Sequence, residues 1–152
     1  MLKKGKKHLV MAVDSDTPSN RNKQKGYIRA MTEQGIAKKD ILLYTAVNKE
    51  FTNPRDVRAA GAKLTEHILT ERPETDGIIY TTDLLAIGGL EAAKKMGKRI
   101  PEELAIMGVD NTMYGEIVTP KLSSLDNKLV EVSQNASRAI LDALDKKKCP
   151  IK

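Results

Sequence analysis

Five short apolar runs recur along the chain, and helical patterns lie between them. The runs are His8–Val13, Ile41–Val47, Gly77–Thr82, Leu104–Val109 and Leu122–Leu125. The first four lack strict alternation of apolar and polar residues, which predicts strands covered on both faces. Strands that alternate with helices in this order predict a three-layer α/β/α fold, built on a parallel sheet with right-handed crossovers.

Capping signals indicate where the helices begin and end. Thr17 followed by Pro18 predicts an N-cap and a proline in the first turn, and Gly35 suits the left-handed conformation that closes this helix. The same kinds of signal predict two more helices, one beginning at Asn53-Pro54 and one running from Thr82 to about Gly97.

The last part of the chain follows a different pattern. After an irregular segment at residues 112–120, a long helix is predicted from about Asn127 to Asp145. Its apolar residues form one stripe at helical spacing, namely Leu129, Val132, Ala136, Ile140, Ala143 and Leu144. Because the preceding sheet already has helices for both faces, we expect two units. Residues 1–126 form a lobe, and residues 127–152 form a crossing helix and tail that pack elsewhere.

Composition limits the class of protein. A chain of 152 residues, of which 40% are hydrophobic, fits one domain with a buried core, and no apolar run approaches the ~18 residues that span a membrane. The basic start precedes an apolar run too short for a signal-peptide core, and the lone Cys149 excludes a disulfide framework. We therefore expect a cytoplasmic protein with no membrane partner.

The net charge of +6 raises the question of nucleic-acid binding, but its distribution argues against it. Residues 1–7 carry +4 and residues 145–152 carry +3, so the remaining 137 residues have a net charge of −1. Solvated basic ends do not form a groove-sized basic patch, and a chain with one Phe and no Trp offers few base-stacking platforms. His8 and His67 lack metal-ligand spacing, so we predict neither a metal nor a cofactor.

Polar residues follow two neighbouring strands of the predicted sheet. Thr81-Thr82-Asp83 ends the third strand and Asp110-Asn111 ends the fourth. Ligands of open parallel sheets bind at the carboxyl ends of the strands, so these residues predict a ligand-binding edge. An ionised carboxylate at such an edge can accept two hydrogen bonds from a diol or a purine edge. Asp-Asn is also a common turn starter, and Thr82 and Asp83 are also suited to cap the third helix.

The same residues resemble those of a known family. The sequences that carry the resemblance are Thr81-Thr82-Asp83-Leu84-Leu85-Ala86-Ile87-Gly88-Gly89-Leu90, Ile100-Pro101-Glu102-Glu103-Leu104-Ala105-Ile106-Met107-Gly108-Val109-Asp110-Asn111 and Pro120-Lys121-Leu122-Ser123-Ser124-Leu125. They resemble the effector-binding region of lac-repressor/gal-repressor (LacI/GalR) transcription regulators, which has a periplasmic-binding-protein-like fold. The resemblance implies that residues 1–125 match the carboxyl-terminal lobe. It also implies that a helix-turn-helix head and most of the first lobe are missing.

The resemblance implies roles for several residues. Asp110 and Thr82 match ligand-contacting positions, and Lys23 stands where the family commonly has Arg, so Arg21 is an alternative for that role. Lys23 could instead pair with Asp110. Asp14 lies at the tip of the first strand beside the cleft, although Asp14 and Asp16 could simply cap the next helix. Phe51 is the one aromatic residue in the loop where the family has a stacking ring.

The third predicted helix is apolar nearly all round in its first two turns. The resemblance places this helix at a dimer interface, with contributions from the segment after Asp110; burial within one subunit is the alternative. The residues assigned to the interface are Leu84, Ile87, Gly88, Met113 and Val118.

Three functions compete at this point. The favoured one is a non-catalytic sensor of a sugar-like effector, in a homodimeric regulator that contacts DNA only through its head. A second is half of a transporter-feeding solute-binding protein. The third is a phosphotransfer domain, since Asp14-Ser15-Asp16 and Asp83 follow strands as in metal-dependent phosphotransfer sites. Pro18, at the fifth position of that motif, argues against it.

Overall fold

Five parallel strands form the centre of this computed structural model, which describes residues 1–46 and 53–144. The strands are β1 (Leu9–Val13), β2 (Leu42–Thr45), β3 (Gly77–Tyr80), β4 (Ala105–Val109) and β5 (Ser123–Leu125). The helices are α1 (Pro18–Glu33), α2 (Pro54–Glu71), α3 (Asp83–Lys95), α4 (Tyr114–Ile117) and α5 (Leu129–Leu144). Short 3₁₀ turns occupy Leu2–Lys4 and Lys38–Asp40.

The sheet has the order β2-β1-β3-β4-β5, and every neighbouring pair is parallel. Val10 of β1 pairs with Leu42 on one side and with Ile78 on the other, and Ile78 in turn pairs with Ile106. All carboxyl ends therefore lie at one edge of the sheet. The predicted three-layer α/β/α architecture is confirmed.

Alternate residues of the central strands β1 and β3 face two separate cores, one on each side of the sheet. On one side, Ile78 and Tyr80 pack with α2 and α3, whose Ile68 and Leu85 are fully buried. On the other side, β1 packs against Tyr27 and Met31 of α1, and Tyr27 Oη donates to the carbonyl of Leu9 at 2.9 Å. This burial raises the pKa of Tyr27 to about 12. The two clusters hold both faces of β1, which explains its uninterrupted apolar sequence.

The helix boundaries follow the capping signals. Thr17 Oγ1 accepts from the amide of Asn20, and Asn53 Oδ1 accepts from two amides in the first turn of α2. Gly35 and Gly97 take left-handed conformations just beyond α1 and α3, at φ values of +81° and +79°. Because L residues with a side chain rarely adopt such angles, glycine is the residue suited to both positions.

Two glycines allow α2 and α3 to cross at close range. A Cβ atom on Gly61 would lie 2.0 Å from the carbonyl oxygen of Leu85, and one on Gly88 would lie 1.8 Å from that of Arg58. No side chain fits in either space. The helices therefore touch backbone to backbone, and this contact holds α3 against the sheet.

Two features differ from the sequence predictions. The expectation that β2 is covered on both faces was wrong: β2 is an edge strand whose residues alternate between half-buried and exposed. The segment 112–120 contains the short helix α4.

None of the residues of α5 is buried, and six large apolar side chains on it are between 57% and 74% exposed. In the described part of the chain, no helix is both long enough and apolar enough to cross a membrane.

Candidate functional site: the carboxyl edge of the sheet

The residue that follows β1 is held rigidly by its neighbours. Asp14 Oδ1 accepts from Asn20 Nδ2 at 2.6 Å and from Thr81 Oγ1 at 2.8 Å. The amide of Asp14 donates back to Thr81 Oγ1 at 3.1 Å. The helix cap of α1 is Thr17, so the predicted alternative of a capping role does not describe Asp14. Its contacts instead tie the end of β1 to the end of β3.

Lys23 brings its ammonium group to the centre of this edge. Lys23 Nζ donates to the carbonyl of Thr81 at 2.7 Å and lies 4.0 Å from Asp110 Oδ1. The two side chains are only 21% and 27% exposed, so their charges are weakly screened by water. The separation from Asp110 is too long for a hydrogen bond, which makes the pair an electrostatic contact.

Asp110 adopts a backbone conformation that is rare for its residue type. Its φ is +113°, and Asn111 follows at +52°. Residues other than glycine are strained in this region, and such strain clusters at binding sites. Asn127 Nδ2 donates to Asp110 Oδ1 at 2.8 Å, so the carboxylate has a fixed orientation. Burial raises the pKa of Asp110; Lys23 opposes this shift and the nearby Asp83 carboxylate adds to it.

The two residues that begin α3 have different roles. Thr82 is the N-cap, and its Oγ1 accepts from the amide of Leu85 at 3.3 Å, which leaves its half-exposed hydroxyl able to donate. Asp83 is 1% exposed. It accepts from the amide and the hydroxyl of Thr112 and from the hydroxyl of Ser124. The hydrogen bonds of Asp83 therefore link the end of β3 to the segment after β4 and to β5. The side chain is enclosed by protein.

Two predicted contact residues are not brought to the centre of the site. Arg21 Nε lies 2.7 Å from Asp16 Oδ1 at the surface, with side chains 58% and 73% exposed. Arg21 is thus paired with its own neighbour, and Lys23 is the cation at the edge. Phe51 lies outside the described residues, so its predicted stacking role stays a prediction.

The predicted dimer residues separate into two groups. Ile87 is 5% exposed and lines an apolar surface pocket, and Gly88 lies against the backbone of α2 within the same chain. Leu84 and Val118 are half-buried, and Met113 is 74% exposed. Leu84, Ile87 and Val118 line one apolar surface between α2, α3 and α4 together with Tyr114 and Ile117. Met113 directly precedes Tyr114 in the sequence. We call Leu84, Met113, Tyr114, Ile117 and Val118 the α4 surface.

Sequence reasoning missed two residues that hold the site together, Asn20 and Asn127, and it did not predict the contacts that Thr81 makes. Asn20 and Asn127 donate to the two key carboxylates, and Thr81 contacts both Asp14 and Lys23. Asn127 follows β5 at the same edge, so the rule that identified Asp110 could also have identified it. Asn20 lies in the first turn of α1, where an amide that reaches backward gives no distinct pattern in sequence.

The geometry favours binding over catalysis. In residues 1–46 and 53–144, no group of three or more His, Cys, Asp or Glu side chains could hold a metal ion. Asp83 is enclosed and fully hydrogen-bonded, so it is not placed to accept a phosphoryl group. Asp14, Lys23, Thr82 and Asp110 instead present fixed donors and acceptors at an open edge, as suits recognition of a polar small molecule.

Comparisons with known proteins agree on one family. Residues 1–152 match the periplasmic binding protein-like domain family. Catabolite control protein A of Priestia megaterium is 30% identical over 132 residues, which are 86% of this chain and 37% of that protein. The ribose operon repressor of Halalkalibacterium halodurans is 33% identical over 85 residues, which are 56% of this chain and 26% of the repressor. The chain thus spans less than half the length of these relatives.

Solved structures give the same result. A LacI family transcriptional regulator from Arthrobacter sp. FB24 has a TM-score of 0.79 at 26% identity, covering 99% of this chain and 52% of that one. Its complex with lactose has a TM-score of 0.75, covering 95% and 50%. The transcription regulator GntR from Chromobacterium violaceum reaches 0.87 at 22% identity, covering 99% and 53%, and shares the fold. The chain therefore belongs to the periplasmic binding protein-like domain family and is an effector-binding domain of the LacI/GalR type.

Proposed function

We propose that this chain forms one wall of the effector cleft in a LacI/GalR-type transcription regulator and senses a sugar-like molecule without catalysing a reaction. The observation that carries the proposal is the position of Asp110 at the carboxyl edge. Its backbone is strained, and its carboxylate is oriented by Asn127 and lies beside Lys23. Thr82 adds a hydroxyl donor and Asp14 a second carboxylate. A related regulator has been solved with lactose, which supports a sugar over other small molecules.

The proposal extends to the rest of the regulator. We assign DNA contact to a head outside these 152 residues and place the regulator in the cytoplasm. The chain divides at residue 126, and α5 packs its exposed apolar stripe on the other lobe of the effector domain. An apolar arc that includes Leu129, Ile140, Leu141 and Leu144 is wide enough to cover a sheet, whereas a paired coiled-coil helix carries a narrower seam.

Relatives that regulate transcription favour a sensor over the two competing functions. A receiver-like phosphotransfer reaction would depend on Asp83, and this residue is enclosed by protein and hydrogen-bonded to Thr112. A solute-binding role shares the same cleft, so the identity of the partner decides between them. Repressor-like relatives such as the ribose operon repressor support the regulator.

Effector binding is tested by substitution of the central carboxylate. We expect a panel of neutral mono- and disaccharides to include at least one that shifts the amide NMR signals of Asp14, Thr82 and Asp110. Asp110→Asn should weaken that sugar at least tenfold, because a charge-assisted hydrogen bond contributes about 1.5–3 kcal/mol. Isothermal titration calorimetry or the NMR titration itself measures the affinity.

The matched control is Asp40→Asn, which removes the same charge from an exposed residue near the amino-terminal edge of the sheet. It should leave sugar affinity unchanged. Shifts centred away from the carboxyl edge, or equal affinities for Asp110→Asn and the parent chain, would contradict the proposed site.

We also propose that the chain forms homodimers through the α4 surface. Ile117 is 73% exposed on it, and Tyr114 and Met113 extend the apolar patch. Ile117→Asp should weaken the dimer at least about 100-fold, because a charge would be buried without a partner at the centre of the interface. Analytical ultracentrifugation across a concentration series measures this change.

Ile140→Asp serves as the comparison, since Ile140 is similarly exposed but lies on α5. This variant should keep the dimer intact. If Ile140→Asp alone produced monomers, α5 and not the α4 surface would be the contact between copies. A parent chain that stayed monomeric at high concentration would refute both surfaces.

A further inference from the structure

The carboxyl edge of the sheet carries an excess of negative charge. The carboxylates that follow β1, β3, β4 and β5 at this edge are those of Asp14, Asp16, Asp83, Asp110 and Asp126, and the cations that lie beside them are Arg21, Lys23 and Lys128. These five carboxylates and three cations have a summed formal charge of −2. The whole chain has the opposite sign, +6, so the edge is an acidic region on a basic protein.

Each of these three cations already has an acidic partner. Arg21 pairs with Asp16 at 2.7 Å. Lys23 uses one donor on the carbonyl of Thr81, and the carboxylate nearest to it is Asp110 at 4.0 Å. A cation with a carboxylate beside it attracts a second anion weakly, because the two fields largely cancel at the distance of a ligand.

The helix ends at this edge are also occupied. The amino termini of α1 and α3 point their partial positive charge here, which by itself would favour an anion. At α1, Thr17 Oγ1 caps the first turn and Asp14 and Asp16 lie directly before it. At α3, Thr82 is the cap and Asp83 occupies the first turn. At both helix N-termini, side chains of the chain itself therefore already balance the partial positive charge that would otherwise attract an anion.

We propose that the effector of this site is a polyol without negative charge, and that phosphorylated or carboxylated sugars are excluded. The inference rests on the effector role proposed above and narrows its ligand class. A sugar phosphate carries about −1.5 to −2 at neutral pH and would place that charge among these five carboxylates.

The charge of the edge is measured directly with a pair of paramagnetic probes, aminomethyl-PROXYL (cationic) and carboxy-PROXYL (anionic), at equal concentration. We expect the amide protons of Asp14, Asp110 and Thr112 to relax at least about twofold faster with the cationic probe, since attraction and repulsion act in opposite directions. Gly97, beside Lys94, Lys95, Lys98 and Arg99 in the sequence, is the internal control and should show the reverse preference. Equal or reversed ratios at the edge would overturn the inference.

A second measurement separates this inference from the proposed function. For any neutral sugar that binds, the matching sugar phosphate and uronic acid should bind at least about tenfold more weakly, and the amino sugar should bind no more weakly. Tighter binding of the phosphate would refute the charge exclusion and leave the sensor role intact. If no sugar bound but the amide protons at the edge still relaxed faster with the cationic probe, the proposed sugar-sensing function would be refuted. The conclusion that the edge is negatively charged would still hold.

Discussion

Gly88→Ala is expected to lower the free energy of unfolding by about 3 kcal/mol, the upper end of the range for overpacking. The added Cβ would lie 1.8 Å from the carbonyl oxygen of Arg58, which is backbone and has no rotamer to change. Either α2 and α3 must separate or the helices must bend, and both changes disturb the larger core of the chain. Urea unfolding followed by circular dichroism measures the change.

Gly26→Ala is the matched control. Gly26 also lies within a helix, α1, and a Cβ atom added to it would have no neighbour within 4 Å. Alanine should therefore stabilise the chain by about 0.4–1 kcal/mol, because it reduces the entropy of the unfolded state. If the two variants had equal stability, the close contact between α2 and α3 would not be the constraint that the geometry indicates.

Asp83→Asn is expected to cost about 2–3 kcal/mol of stability. Its carboxylate accepts three hydrogen bonds while 1% exposed, and an amide has one oxygen to serve the same donors. One donor of Thr112 or Ser124 would then face an NH₂ group in a buried site, which carries a full desolvation penalty. Chemical denaturation gives the stability, and loss of amide protection at Thr112 in hydrogen exchange would localise the damage.

Asp16→Asn makes the same chemical change at the surface. Asp16 is 73% exposed and pairs with Arg21, so we expect its loss to alter stability by no more than about 0.5 kcal/mol. An Asp83→Asn variant as stable as Asp16→Asn would mean that the hydrogen bonds of Asp83 do not join the three strands as described.

The sequence predicted the order of strands and helices well because local rules determine it. Apolar runs such as Leu9–Val13 belong to strands buried on both faces, and Thr17, Asn53, Gly35 and Gly97 act within one turn of their own position. The rule that ligands meet the carboxyl edge of a parallel sheet then placed Thr82 and Asp110 at the same edge. The prediction was wrong for β2, because the position of a strand within the sheet depends on pairing between distant residues.

The roles of individual side chains depended on contacts that sequence patterns do not encode. Asp83 and Asp110 are both acids at strand ends, yet one is enclosed by Thr112 and Ser124 and the other faces Lys23. Gly88 was predicted to lie at a dimer interface, which stays a prediction, and within the chain it lies against the backbone of α2. Both outcomes result from contacts between helices and loops that are tens of residues apart in the sequence.

The sequence by itself determined the fold class, the family and the edge of the sheet at which Thr82 and Asp110 lie, since periodicity, capping and the motif at residues 81–111 are local. Tertiary structure alone decided which polar groups at that edge are available. It buried Asp83, paired Arg21 with Asp16, and left Asp110 oriented by Asn127 beside Lys23. The physical reason is that burial and pairing are set by residues far apart in the chain, whose separation only the folded chain determines.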